Sequence, residues 1–211
     1  MIVDAATVFV VDDDPSVRKS LERLLGHRGY RTASFDNARA FLSSPRDASP
    51  SCAVIDLRLP EMDGLELQQR LMQLQQSIPV IFISGYGDVP ASVQAMKQGA
   101  TDFLTKPVHD EDLLRAVEQA LDRDRLNRVE FAEMDALRKR VSLLTPREYQ
   151  VFCEIVAGKL NKQIAAALGI AEKTVKVHRH RVMEKTGARS VADLVRLAGR
   201  LFNRETSGGT V

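Results

Sequence analysis

The sequence predicts an α/β domain with a doubly wound parallel sheet of five strands, followed by a smaller all-α domain. In the first half, short apolar segments typical of strands alternate with segments of helical periodicity, which is the pattern of a parallel sheet covered by helices on both faces. In the second half only helical patterns occur. With 211 residues, of which 44% are hydrophobic, the chain is long and apolar enough to build two cores.

Each predicted strand is short and mainly apolar, and each is followed by a helical pattern. The strands are Thr7–Val11, Arg31–Phe35, Ala53–Asp56, Val80–Ser84 and Asp102–Thr105. The helices are Pro15–His27, Asn37–Ser43, Leu65–Gln75 and Val89–Gln98, with a further helix starting near Asp110. No Gly or Pro interrupts the sequence from Asp110 to Leu144. This predicts one long helix, or two stacked helices, between the domains.

Four helical segments follow, and their ends carry typical capping residues. The first opens with a capping box and a proline in its first turn, the second and third end in glycine, and the fourth opens with capping-box spacing. The residues concerned are Thr145, Pro146 and Glu148, Asn161 as the N-cap of the second helix, Gly169, Gly187, and Ser190 with Asp193. The tail is expected to be mobile.

Charge is distributed unevenly along the chain. Residues 1–125 contain 14 Lys and Arg against 19 Asp and Glu, a net charge of −5, whereas residues 126–211 contain 16 against 9, a net charge of +7. The basic half is therefore the candidate for binding nucleic acid. There is no apolar run of about 18 residues and no signal-peptide pattern, so we expect a cytoplasmic protein. Cys52 and Cys153 are expected to be buried in a reducing compartment.

Polar residues stand at the ends of four of the five predicted strands. Asp12 and Asp13 follow the first, Asp56 ends the third, Ser84 ends the fourth and Lys106 follows the fifth. The carboxyl ends of parallel strands meet at one edge of a sheet, where ligands bind. A solvated turn would explain one of these residues but not four sets of them, each following an apolar run.

The chemistry that suits this combination is phosphoryl transfer to a carboxylate. An attacking carboxylate and a dianionic phosphoryl group repel each other, and Mg²⁺ held by carboxylates removes that repulsion. A lysine adds a fixed positive charge and a hydroxyl can donate to a phosphoryl oxygen. Mg²⁺ or Mn²⁺ is therefore the expected cofactor.

The segments VVDDDP, AVIDLRLPEMDG, IFISGYGD and DFLTKP resemble, in this order, the receiver domain of bacterial two-component response regulators. The resemblance implies a flavodoxin-like fold with Asp56 as the phospho-acceptor. It implies that Asp13, Asp56 and the Arg58 carbonyl bind the metal directly, and that Asp12 binds it through water. Ser84 would be the switch hydroxyl and Lys106 the lysine that pairs with the phosphoryl group. Phe103 takes the place of the switch aromatic residue, with plain core packing as the alternative.

Two other functions compete with this interpretation. VVDDDPS also fits the D-x-D-x-[ST] motif of haloacid-dehalogenase-type phosphatases, which would make Asp12 the nucleophile and Asp14 the acid/base. That hypothesis leaves Asp56 without a function and lacks a later acidic pair. A DNA-binding protein with a degenerate receiver is the other alternative, and the intact Asp56 and Lys106 argue against it. We therefore expect a non-enzymatic regulator.

The segment LTPREYQVF…NKQIAAALGIAEKTVKVHRHRVMEKTG resembles the tetrahelical helix-turn-helix domain of the LuxR/FixJ/NarL type. At 100° per residue, Val175, His178, Val182 and Thr186 share one face of its third helix, which we assign to the core. The opposite face is assigned to the DNA major groove, and flanking cations to phosphates. The predicted DNA-binding residues are Lys162, Lys173, Thr174, Lys176, Val177, Arg179, His180 and Lys185.

The resemblance implies a FixJ-type transcription regulator with three functional parts. These are a receiver at residues 1–121, a helical linker at 122–142, and a helix-turn-helix domain at 143–204, followed by the tail at 205–211. A sensor histidine kinase would phosphorylate Asp56, and the phosphorylated chain would form a homodimer on promoter DNA and act with RNA polymerase. Two basic helices would then read half-sites about one DNA turn apart.

Overall fold

The computed structural model describes residues 6–85 and 89–205. They form two compact units, Met1–Arg128 and Val129–Val211. The end of the IFISGYGD motif and residues 206–211 of the predicted mobile tail lie outside the described residues. The boundary at Arg128 falls within the stretch predicted as linker.

The first unit is built on a parallel five-stranded sheet. Its strands are β1 (Thr7–Val11), β2 (Arg31–Phe35), β3 (Ser51–Asp56), β4 (Val80–Ser84) and β5 (Asp102–Thr105), in the order β2-β1-β3-β4-β5. The predicted fold class is confirmed. β3 starts two residues before the predicted strand because Ser51 and Cys52 continue the parallel ladder opposite Thr7 and Val8. β1, β3 and β4 are buried along their whole length.

Four helices of this unit follow the first four strands: α1 (Pro15–His27), α2 (Ala38–Ser43), α3 (Gly64–Gln73) and α4 (Val89–Lys97). Asn37 is the N-cap of α2 and not its first residue, since its side chain accepts a hydrogen bond of 2.8 Å from the Ala40 amide. α3 begins one residue earlier than predicted because Asp63 and Glu66 form a capping box before Leu65.

The helices cover both faces of the sheet and give two apolar layers. One contains Leu25 and Val117 against β1, β3 and β4, and the other contains Phe41 and Leu67 with Phe82. All five side chains are fully buried. Because both faces are covered, the exposed edge formed by the carboxyl ends of the strands is where polar groups can gather.

A single helix, α5 (Asp110–Ser142), occupies the stretch for which one or two helices were predicted. Its first part packs on the sheet through Leu113, Val117 and Leu121. Farther along, the buried Asp124 carboxylate accepts a hydrogen bond of 2.9 Å from the Ser51 amide. Arg128 pairs with Asp124 and donates to the Ala48 carbonyl at 2.9 Å. The first unit therefore holds α5 as far as Arg128.

The second unit consists of the end of α5 with α6 (Pro146–Val156), α7 (Asn161–Leu168), α8 (Glu172–Thr186) and α9 (Val191–Glu205). Its core contains buried aliphatic residues of all four of these helices and the buried Phe152. Met134 and Leu137 of α5 pack against Leu201 of α9. The end of α5 is therefore part of this unit's apolar packing.

The structure corrects two predictions about individual residues of this unit. Asn161 is the first residue of α7 and not its N-cap, which is Leu160, whose amide is bound by the Gln163 side chain at 2.8 Å. Cys153 is exposed, whereas Cys52 is buried as expected. The predicted capping box of Thr145 and Glu148 is present.

The turn before α8 depends on a left-handed residue. Gly169 has φ 64° and ends α7, as the sequence predicted. Ala171 takes the N-cap position of α8 and offers no side-chain hydrogen bond.

Among the described residues, no helix is long and apolar enough to pass through a lipid bilayer.

Candidate functional site

The carboxyl edge of the sheet brings together the side chains that the sequence singled out. Asp12 follows β1, Asp56 ends β3 and Lys106 follows β5. The Lys106 ammonium lies 3.0 Å from Asp12 Oδ2 and forms a second ion pair with Asp56. Asp12 and Asp56 are buried, with 2% and 8% of their surface exposed. One cation therefore pairs with both buried carboxylates and offsets part of their charge.

Burial and pairing act in opposite directions on these groups. Burial raises the pKa of Asp12, and hydrogen bonds from the Asp14 amide and Lys106 only partly offset this effect. For Lys106, burial favours the neutral amine, but hydrogen bonds to Asp56 and Asp12 are stronger in total and raise its pKa. Lys106 is therefore a permanent positive charge beside the two carboxylates.

Asp14 belongs to the neighbouring helix and not to this pocket. Its side chain is the N-cap of α1 and accepts a hydrogen bond of 2.8 Å from the Ser16 amide. The bonds from Ser16 lower the pKa of Asp14. A general acid needs a raised pKa, so this geometry does not suit the acid/base role that the phosphatase hypothesis gave to Asp14.

Arg18 holds the loop that presents the first two aspartates. Its guanidinium donates to the Asp12 carbonyl at 2.6 Å and to the Asp13 carbonyl at 3.0 Å. None of the sequence motifs predicted this role for Arg18, which lies one helical turn after Asp14. Fixing both carbonyls sets the direction in which the Asp12 and Asp13 side chains leave the backbone.

The backbone around Asp56 is packed against Gly64 of α3. A Cβ added at Gly64 would lie 2.8 Å from the Asp56 carbonyl oxygen and 2.9 Å from Phe82 Cε1. The Gly64 amide also donates to the Leu57 carbonyl at 2.9 Å. The glycine in AVIDLRLPEMDG is thus a close-approach residue that allows α3 to reach the Asp56 backbone.

The donor set fits a hard divalent cation. Asp12, Asp13 and Asp56 each offer a carboxylate oxygen, and these atoms lie within 4.8 Å of one another. Carboxylate oxygens are the ligands that Mg²⁺ prefers. Asp13 is exposed, so the cluster is open on one side. Arg58 is also at the pocket, where its amide donates to Asp56 Oδ1 at 3.0 Å.

Two further predicted residues lie at the end of β4 and on β5. Ser84 is 1% exposed, and its hydroxyl has no hydrogen-bond partner among the residues that the structure describes. A buried hydroxyl without a partner costs free energy unless it gains one in another state. Phe103 is half-buried, with its ring centroid 6.3 Å from that of Phe82.

The faces of α8 are arranged as the helical period predicted. Val175, Val182 and Thr186 are buried in the core of the second unit. The residues exposed on the other side are Lys173, Thr174, Lys176, Val177, His180, Arg181 and Glu184. They form a basic face with one apolar member, Val177, of which 46% is exposed. Such a face can contact base edges and phosphates.

Arg179 and Lys162 lie on the rim of this face. Both line one surface depression, together with Lys159, Asn161 and Glu172. Of these three cations Lys159 is paired with Glu154, whereas Lys162 and Arg179 are suited to a phosphate contact. His178 is half-buried, and its buried Nδ1 has no hydrogen-bond partner within the described part of the chain.

Lys185 departs from the predicted pattern. Its ammonium lies 2.6 Å from the Glu148 carboxylate and 3.0 Å from the Leu143 carbonyl. Both acceptors belong to the second unit itself, and Glu148 is only 2% exposed. Two of the three N–H donors of the ammonium are therefore used within the second unit, so at most one is left for a DNA phosphate.

Comparison with known proteins identifies the family. Residues 8–118 match the family model described as the response regulator receiver domain. The chain belongs to the response regulator family. Residues 142–198 of this response regulator match a second model, described as bacterial regulatory proteins of the luxR family. Together the two matches confirm a two-component response regulator with a receiver domain and a LuxR-type DNA-binding domain.

Individual relatives match the response regulator over nearly its whole length. Nodulation protein W of Bradyrhizobium diazoefficiens is 46% identical over 196 residues, which are 93% of this chain and 86% of the relative. Among solved structures, the response regulator StyR has a TM-score of 0.78 at 46% identity, covering 93% of this chain and 99% of that one. Full-length FixJ from B. japonicum has a TM-score of 0.55 at 42% identity, with coverages of 92% and 96%.

These findings confirm the predicted family, fold class and general function, and they do not support the phosphatase alternative. The roles of individual residues remain predictions, because neither the matches nor the geometry tests them.

Proposed function

We propose that the response regulator accepts a phosphoryl group on Asp56 and uses it to control DNA binding by α8. The observation that carries this proposal is the meeting of Asp12, Asp56 and Lys106 at the carboxyl edge of the sheet, with Lys106 paired to both carboxylates. A nucleophilic carboxylate beside a fixed cation is suited to attack on an anionic phosphorus.

The proposed transfer takes the phosphoryl group from a phosphohistidine of a sensor kinase. An Asp56 carboxylate oxygen forms a bond to phosphorus while the bond from phosphorus to the imidazole nitrogen breaks. The bonding electron pair stays on the imidazole. Lys106 then pairs with the phosphoryl oxygens, and the unpartnered Ser84 hydroxyl donates to one of them. Phe103 is the second switch residue in this proposal, after Ser84.

Asp12, Asp13 and Asp56 would hold Mg²⁺, or Mn²⁺, together with the Arg58 carbonyl, and Asp12 would act through water. Their carboxylate oxygens lie within 4.8 Å of one another. The ion supplies positive charge that lets an anionic donor approach an anionic pocket. The open side of the cluster, at the exposed Asp13, leaves room for the donor.

The proposed output is transcription control. Lys173, Thr174, Lys176, Val177 and His180 would face the major groove of promoter DNA, with Arg179 and Lys162 on phosphates. Phosphorylation would favour a homodimer on two half-sites, acting with RNA polymerase in the cytoplasm. The receiver, linker and DNA-binding functions are assigned to residues 1–121, 122–142 and 143–204.

Incubation with acetyl phosphate and Mg²⁺, followed by mass-spectrometric mapping, tests the acceptor. We expect one phosphoryl group on Asp56 and none in Asp56→Asn. Asp14→Asn is the matched control, since it removes a neighbouring carboxylate outside the pocket, and it should still be labelled. A phosphoryl group on Asp12, with turnover of a phosphomonoester, would overturn the proposal.

A further inference from the structure

Within the second unit, a cationic side chain from each of α5 and α8 contacts the C-terminal end of the other helix. Arg140 of α5 donates through its guanidinium to the Thr186 carbonyl at the end of α8, at 3.1 Å. In return, Lys185 of α8 donates to the Leu143 carbonyl, just past the end of α5, at 3.0 Å. Each helix thus supplies a cation that binds a carbonyl at, or just past, the end of the other helix.

These contacts lie at helix C-termini, where backbone carbonyls lack intrahelical partners. The last carbonyls of a helix have no intrahelical donor and carry partial negative charge, so a cation placed there is stabilising. The fit at α8 is close, because a Cβ added at Gly187 would lie 2.9 Å from the Arg140 guanidinium. Gly187, with φ 74°, therefore both ends α8 and admits Arg140 to its final turn.

Lys185 also joins a third element. Its ammonium lies 2.6 Å from the carboxylate of Glu148, which is buried in the first turn of α6. The same carboxylate accepts a hydrogen bond of 2.9 Å from the Thr145 amide and so completes the capping box. One ammonium thus connects the end of α5, the start of α6 and the end of α8.

We propose that Arg140 and Lys185 are positioning residues for the DNA-reading helix. They contact no DNA and instead fix the C-terminal end of α8 against the last turn of α5, so that its basic face meets the groove at one angle. This inference depends on the proposed function of α8. It also makes the end of α5, assigned to the linker by sequence, a working part of the DNA-binding domain.

The test compares Arg140→Gln and Lys185→Met in the full chain with Lys139→Met. Lys139→Met is the matched control because it removes one positive charge from α5, the helix of Arg140, and the pair of Lys139 with Asp135 is exposed. Amide hydrogen exchange of free protein is measured first. The last turn of α8 should exchange faster in both test variants and not in the control, while α7 is unchanged in all three.

DNA binding is then measured on a duplex that the wild-type chain selects from a random pool, and on a scrambled duplex. Each test variant should bind the selected duplex about tenfold more weakly, and its affinity for the scrambled duplex should change little. The slope of log affinity against log salt concentration should be unchanged. Arg140→Lys, which keeps the cation, should restore most of the affinity. If Lys185→Met unfolds the unit, the double variant Glu148→Gln with Lys185→Met, which also removes the buried carboxylate, is tested in its place.

The possible outcomes distinguish a failure of this inference from a failure of the proposed function. Unchanged exchange in α8 overturns the positioning role whatever the DNA result. A salt slope lowered by about one, with equal losses on both duplexes, would make the residue a phosphate contact and also overturn it. If exchange changes as expected but wild-type protein selects no duplex, the proposed DNA reading by α8 fails, and with it any role of these contacts in recognition.

Discussion

The ammonium of Lys185 lies 2.6 Å from the carboxylate of Glu148, which is 2% exposed. This pair and the Thr145 amide lower the pKa of Glu148 to about 2, with the Lys185 hydrogen bond as the largest cause. Because the folded pKa is below the ordinary value of 4.5, the carboxylate stabilises the folded unit at neutral pH. That contribution is lost as the pH falls from about 4.5 towards 2.

Glu148→Gln should therefore lower the free energy of unfolding of the second unit at pH 7 by about 1.5–3 kcal/mol, because a charged hydrogen bond becomes a neutral one. The difference from wild type should shrink between pH 4.5 and 2. Urea unfolding, followed by amide exchange in α6 and α8, measures it. Glu184→Gln, on the exposed face of α8, is the control and should change little. A difference independent of pH would contradict the ion-pair account.

The metal cluster predicts a contrast between two adjacent aspartates. Asp13→Ala should weaken Mg²⁺ binding at least tenfold, because it removes one of three carboxylates from the cluster. Asp14→Ala removes the N-cap of α1 and should cost about 1 kcal/mol of stability with little change in Mg²⁺ affinity. Calorimetric titration with MgCl₂ measures both. Equal Mg²⁺ affinities in the two variants would remove Asp13 from the site.

A pair of glycines tests the packing behind Asp56. Gly64→Ala places a methyl group 2.8 Å from the Asp56 carbonyl, so it should destabilise the first unit by about 1–3 kcal/mol and slow phosphorylation. Gly26→Ala, in α1, meets nothing within 4 Å and should stabilise by about 0.5–1 kcal/mol. Thermal unfolding and the rate of labelling by acetyl phosphate are measured. Normal labelling in Gly64→Ala would show that α3 does not position Asp56.

Local sequence patterns predict the position of a residue here where a general rule of strand or helix geometry determines which side chains share an edge or a face. Parallel strands end at the same edge, so Asp12, Asp56 and Lys106 could be placed together without coordinates. The same is true of α8, where a 100° period separates Val175 and Val182 from the basic face.

The sequence does not predict contacts whose partner lies on another element. The helical period places Lys185 on the flank of α8, and only its contacts with Glu148 and the Leu143 carbonyl show that its ammonium faces inward. Cys153 lies in an apolar helix, yet its exposure depends on which face of α6 the neighbouring helices cover. Such facts follow from tertiary packing and have no local signal.

The exposed and rim positions on α8 should behave differently on DNA. Lys176→Ala should cost about 1–3 kcal/mol on the selected duplex and relax preference at one base position. Arg179→Ala should weaken selected and scrambled duplexes alike and lower the slope of log affinity against log salt by about one. Salt titrations of both variants on both duplexes measure this. If Lys176→Ala acts as a pure phosphate contact, the assigned orientation of α8 is wrong.

The most direct test of the account is the affinity of the full chain for its selected duplex, with and without acetyl phosphate and Mg²⁺. Wild-type protein should bind at least about tenfold more tightly after phosphorylation, a shift of about 1.4 kcal/mol. Asp56→Asn should show no difference between the two conditions. An equal gain in Asp56→Asn, or no gain in a wild-type sample shown to carry the phosphoryl group, would contradict the proposal that Asp56 controls DNA binding.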